Sequence, residues 1–249
     1  MNTKENTVTF DDIKEGLRTS LISIAGNEEM LSHVPHKNIE DMALMYKYQR
    51  DAGDSSFETA TVMTVTNSMV KSLGMNNSQF MEAADEVIPL NHPPVVKDIL
   101  EVLGVFDPTK EPGPLFVATT EDNFRGAGVV GYKGFLDQAA EFLNGDFIVL
   151  PSSIHEVLLL KDDGALSPSE LKDIVRSVNQ SEVAPEERLS NQVYHYDSKD
   201  KVFELAEKFE QRRHEREEKP SLLGELKNNR EKKAPIKTDK AKNANREAR

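Results

Sequence analysis

The chain has 249 residues, 37% hydrophobic and 30% charged, which allows one sizeable core, while no run approaches the roughly 18 apolar residues a membrane helix needs. Cysteine is absent, excluding disulfides, thiolate nucleophiles and sulfur metal ligands and fitting a reducing cytoplasm. The net charge of −12 is uneven, with 13 Lys and Arg against 7 Asp and Glu from Gln211 onward and 18 against 36 before it, so the acidic body opposes nucleic acid and anionic membranes, and only the tail offers weak phosphate contacts.

The opening MNTKENTVTFDD lacks the basic-then-apolar layout of an export signal. After Thr9, the spacing of Ile13, Leu17, Leu21 and Ile24 predicts a helix that Pro35 ends. MALMYKYQ and FETATVMTVT predict two antiparallel strands joined by a turn over DAGDSS, since β-branched side chains suit a pleated surface. Asn67 is placed to cap a short helix through Met69, Val70 and Leu73 that Gly74 stops. A second helix carries Phe80, Ala84, Val87 and Ile88, and a third carries Val96, Ile99, Leu100 and Leu103. DPTKEPGP is a loop, because proline lacks a donor and locks φ.

LFVATT, GAGVVGY, FIVL and EVLLL predict strands, with a helix marked by Phe135, Ala139, Phe142 and Leu143 between the second and third. Ser167-Pro168-Ser169-Glu170 announces another helix, with cap, first-turn proline and capping box together, and Leu171, Ile174, Val175 and Val178 as its buried stripe. A last helix is expected from Lys199 to about Lys219, with Val202, Leu205, Ala206 and Phe209 inward. Beyond Pro220 the composition predicts disorder, with Ser221–Leu226 as a short docking segment or a frayed helix end.

The stretch FIVLPSSIHEVLLL holds the main candidates for chemistry. Its flanking runs lack alternation, so both strands are expected to be covered on both faces or buried centrally. Pro151 cannot donate in mid-sheet, which makes PSSI a turn whose hydroxyls bond nearby backbone. A nucleophile would need Ser153 paired with His155, yet residues two apart in an extended chain lie about 6–7 Å apart, and a Ser–His hydrogen bond needs about 2.6–3.2 Å. No GxSxG elbow accompanies them, and Glu156 points away from His155 in a regular strand. A hydrolase using Ser153, His155 and Glu156 is therefore the alternative, behind a ligand-binding role for Ser152, Ser153, His155 and Glu156 at one sheet end. Asn123 and Arg125 are candidates to join them there. His33 and His36 are three apart with Pro35 between, unlike a helical metal pair, so no metal and no cofactor is expected. Gly126, Gly128 and Gly131 have GxGxxG spacing but lead into Val129–Val130 rather than a helix, so close packing or a bulge explains them better than a dinucleotide.

LFVATTEDNFRGAGVVGYKGFLDQAAEFL followed by GDFIVLPSSIHEVLLLKDDG resembles an uncharacterised domain family common in anaerobic Firmicutes, whose distinctive segment is LPSSIHE. The similarity extends from about Leu31 to Asp197 through VPHKNIEDMALMY and LKDIVRSVNQSEVAPEERLSNQVYHYD. Two departures are a shorter N-terminal region and Thr120–Glu121 in place of the family's usual Asn-Lys. The resemblance implies carriage on conjugative or other mobile elements, as does the tail segment KPSLLGELKNN, and it implies no activity.

The expectation is an α+β protein: one domain with a largely antiparallel sheet flanked by helices, and a disordered basic C-terminal tail. Its parts are a polar lead and helix over 1–30, the LPSSIHE-type domain over 31–210, and a charged helix end and tail over 211–249. The expected role is a cytoplasmic binding or accessory protein acting through contacts with a protein partner.

Overall fold

The computed structural model describes residues 8–50 and 61–216. The chain divides into two units: Met1–Phe209, which holds the sheets and the candidate site, and Glu210–Arg249, of which residues 210–216 are helical. The DAGDSS turn and the segment beyond Pro220 lie outside the described residues.

The first sheet is formed by β1 (Leu17–Ser23), β2 (His36–Ile39), β3 (Met42–Arg50) and β4 (Thr61–Thr64), with the short helix α1 (Glu28–Leu31) between β1 and β2. β3 is central: β1 lies antiparallel along one edge, while β2 and β4 share the other. This corrects the expected helix from Thr9 to Ile24. Leu17 and Leu21 are four apart, which is one face of a helix and equally one face of a strand. Among the described residues, a short 3-10 turn, Lys14–Gly16, is the one helical element before β1.

α2 (Asn67–Ser72) and α3 (Asn77–Asn91) follow. The cap of α2 is Thr66, whose hydroxyl accepts from Met69 N, rather than Asn67. α3 starts with a capping box made by Asn76 and Gln79 and buries Phe80, Ala84 and Ile88. The helix expected through Val96 is instead β5 (Pro94–Asp98) followed by a single turn, α4 (Ile99–Val102). The two prolines favour extended backbone there, and Leu100 and Leu103 are exposed.

β6 (Leu115–Thr120), α5 (Phe135–Leu143), β7 (Phe147–Pro151), β8 (Val157–Lys161), α6 (Pro168–Ser181), β9 (Tyr194–Asp197) and β10 (Val202–Leu205) complete the unit. Their strands join β5 in a six-stranded antiparallel sheet of order β10-β9-β7-β8-β6-β5. Phe147 and Val149 of β7 face the main core, and Ile148 and Leu150 face a second cluster with Leu171 and Val175 of α6. β7 is thus covered on both faces, which is why it shows no alternation.

Other expectations change. GAGVVG is not a strand but a 3-10 helix, Gly126–Gly131, packed between the two sheets. A Cβ on Gly126, Gly128 or Gly131 would come within 2.1 to 2.4 Å of Thr119, Thr19 or Leu44, so close packing explains these glycines. The segment expected as helix from Lys199 is first the β9–β10 hairpin, and helix begins only at 206. Phe142 of α5, and Ile174 and Val178 of α6, are exposed rather than buried, and α6 buries Asn179 instead. The Asn179 amide donates to Ser190 O and Asn191 Oδ1, tying α6 to the chain that follows it.

The antiparallel content is therefore divided between two sheets that share one core, to which Leu17, Leu44 and Tyr46 of the first sheet and Phe116, Phe147 and Leu159 of the second contribute. Helices flank both, giving a mixed α+β fold.

Candidate functional site

Residues 152–156 turn the chain from β7 into its neighbour β8, with Ser153 N donating to Glu156 O. The Ser153 hydroxyl accepts from His155 N at 3.1 Å. Ile154 N donates to Glu187 O, and Thr119 Oγ1 donates to His155 O at 2.8 Å, so the turn is pinned by β6 on one side and the 3-10 turn Pro185–Glu187 on the other. Ser152 and Glu156 carry half-buried side chains beside it.

Arg125 N donates to His155 Nδ1 at 3.3 Å. With Nδ1 accepting, the ring proton sits on Nε2, which faces Glu187 Oε1 at 3.5 Å. Both ring nitrogens are thus turned to other partners, and the Ser153 hydroxyl is held by backbone, so the pairing a serine nucleophile requires is not formed. The acid beside the imidazole is Glu187, from a distant segment, and not Glu156.

Asn123 and Arg125 both hold left-handed backbone, at φ of 55° and 53°. Such conformations cost roughly 1–3 kcal/mol each and gather at ligand sites and switch segments. Here Asn123 N is held by Thr120 O and Phe124 N by Asp122 Oδ1. Asp122 also accepts from Arg18 at 2.5 Å and Thr120 Oγ1 at 2.8 Å. Burial raises the Asp122 pKa, but the hydrogen bonds from Thr120, Arg18 and Phe124 outweigh it, and the net direction is downward. A depressed carboxyl stabilises the fold above its unfolded value near 3.8, and that contribution is lost as pH falls through the folded value. Acidification below about pH 4 is expected to release residues 121–125 early. The check is amide exchange of Phe124 and Arg125 against pH; protection that persists until global acid unfolding contradicts it. His92, 3.7 Å from Asp122, is pushed down by burial and by Arg18 and is mainly neutral at pH 7.

Next to the turn lies a cleft of about 660 Å³. It is lined by Ile22, Ser23, Ala25, Asn27, Asp41 and Ile154 and by residues 185–192 apart from Glu187. Its wall is fixed through Asp41, which accepts from Ser190 Oγ at 2.7 Å and from the buried Tyr194 hydroxyl at 2.5 Å. Arg188 Nε donates to Val183 O, closing the irregular stretch on itself.

The structure thus brings His155, Ser153 and Arg125 together and places Ser152 and Glu156 in the same turn, with Asn123 exposed two residues from Arg125. Asp41, Glu187 and Ser190 fell outside the expected set, and the one sequence signal for them is that all three lie in stretches carrying the family resemblance. Among the described residues, no group of three or more His, Asp or Glu is placed to hold a metal ion, and no helix is long and apolar enough to cross a membrane.

Fold and site together define an α+β protein of two antiparallel sheets with a polar cleft where three distant chain segments meet. Residues 1–198 match the family described as a family of unknown function, DUF5688, and the chain belongs to it. Neither the curated proteins nor the solved structures provide a match.

Proposed function

We propose that the protein is a binding or accessory protein that holds an extended segment of a protein partner in the cleft beside the 152–156 turn. The observation that carries this reading is the cleft itself, about 660 Å³ and lined by Ser23, Ala25, Asn27, Ile154 and most of the 185–192 stretch. The side-chain amide of Gln192 can donate and accept at once, as a peptide main chain requires, and Asn27 Oδ1 and Asn191 Nδ2 add an acceptor and a donor beside it. The setting proposed with it is the cytoplasm, on a mobile genetic element. Its support is the absence of cysteine and the resemblance carried by LPSSIHE and KPSLLGELKNN. A weak phosphate contact by the basic tail is a secondary part of the same proposal.

The test is a photo-crosslinker at Gln192 combined with the cleft-filling substitution Ala25→Trp. The expected result is crosslinking to one defined segment of one protein, competed by a synthetic peptide of that segment and lost on filling while the melting temperature holds. Crosslinks that scatter over many proteins, or that survive Ala25→Trp, overturn the reading.

A further inference from the structure

The first sheet carries a row of cations that its own described residues leave unneutralised. In register, Arg18 of β1 stands opposite Lys47 of β3, and Lys47 opposite Thr64 of β4. Like charges directly opposite one another are destabilising unless something compensates them. Arg18 is compensated by Asp122 at 2.5 Å. Lys47 is not: its ammonium donates to the neutral Thr64 hydroxyl at 2.6 Å. The loop 121–125 brings a third cation to the same place. Arg125 Nη1 lies 3.3 Å from the hydroxyl of Ser20, which alternates with Thr19 and Leu21 and so shares a face with Arg18. Arg125 Nε is buried with no hydrogen-bond partner among the described residues.

Among the described residues, no carboxylate lies within 4.0 Å of Lys47 or Arg125. Both side chains are half-buried. The Lys47 ammonium is pushed down by burial and then by the Arg125 charge, so the two cations feel each other. Half-burying two mutually repelling cations is costly without a counter-charge. This occurs in a chain of net charge −12, where a carboxylate partner would be easy to supply. The left-handed backbone at Asn123 and Arg125 is a further expense at the same place.

We infer that Lys47, Arg125 and Ser20 form a site for a small phosphate-type dianion. A phosphate supplies two negative charges and several acceptors, matching the guanidinium fork, the ammonium point charge and the serine hydroxyl. The surrounding acidic body disfavours a polyanionic backbone and selects a small phosphate ion or monoester. This inference goes beyond the cleft reading and does not depend on it.

The test titrates the full chain with inorganic phosphate by calorimetry at low ionic strength, with chloride at matched ionic strength as the reference and a small phosphate monoester as a second arm. Saturable binding of phosphate is expected, with a rise in melting temperature that chloride does not reproduce. Affinity is expected to fall about tenfold or more in Lys47→Met and Arg125→Met, and to stay within about threefold in Lys47→Arg. Tighter binding of the monoester than of the ion identifies an esterified ligand, and the reverse identifies the free ion. If Arg125→Met fails to fold, the contrast between Lys47→Met and Lys47→Arg decides alone. Phosphate that never saturates, or that binds Lys47→Met as well as it binds the unaltered chain, overturns the site.

Discussion

Replacing Gly126 with alanine is expected to lower the unfolding free energy by about 3 kcal/mol, at the upper end of the overpacking range. The new methyl would stand 2.1 Å from Thr119 Oγ1, 2.5 Å from Thr120 N and 2.8 Å from His155 O. Two of those atoms are main chain, one in β6 and one in the 152–156 turn, so rotating a side chain does not relieve the clash. Thr119 Oγ1 also donates to His155 O, and pushing the turn away breaks that bond as well. The damage thus falls where the 3-10 helix Gly126–Gly131, β6 and the turn meet. A suitable comparison is Gly113→Ala, where nothing lies within 4 Å of the added atom and the change should stay within about 0.5 kcal/mol. Denaturant unfolding of the two variants checks the expectation, and equal midpoints would show that the close approach has no energetic weight.

A comparable loss, about 3 kcal/mol, is expected for Asp41→Ala, since it removes the carboxyl group that accepts from both Ser190 and the buried Tyr194 hydroxyl. Asp41 accepts from both Ser190, in the cleft wall, and Tyr194, in β9 of the second sheet. Tyr194 is fully buried. Burial and then the hydrogen bond to Asp41 push its hydroxyl well above the ordinary tyrosine range, so it remains a donor. Tyr194→Phe removes donor and demand together and should cost only about 1 kcal/mol. Combined with Asp41→Ala it should cost less than the sum, because both changes remove the same hydrogen bond. Additive losses in that cycle would mean the two residues are not coupled. Asp41→Ala is also expected to loosen residues 185–192, and with them the wall of the cleft, which amide exchange over that stretch would record.

These two sites also separate what is local from what is not. The α6 capping box was legible because Ser167, Pro168 and Glu170 act within one turn. The strands β6, β7 and β8 were legible because runs of β-branched and aliphatic residues suit a sheet buried on both faces. Pro151 and the serines after it marked a turn between sheet neighbours, for the same local reason. The candidate site was legible only in part. His155, Ser153 and Arg125 were named, but Glu187 and Asp41 were not, since a carboxylate's partner is chosen by contacts across 30 or more positions.

The composition and local chemistry of this chain determined that it is an α+β protein with an antiparallel sheet, capped helices and a tight proline-led turn. Tertiary structure decided the rest. Leu17 and Leu21 satisfy helical and strand periods alike, and pairing with β3 selected the strand. Val202 and Leu205 fit a helix, yet β9 offered Tyr194–Asp197 as a ladder. GAGVVGY read as a strand, yet its glycines pack against Thr119, Thr19 and Leu44 in a 3-10 helix. In each case the local preferences were near balance, and the choice went to the conformation that gave its backbone partners and its apolar side chains a common core.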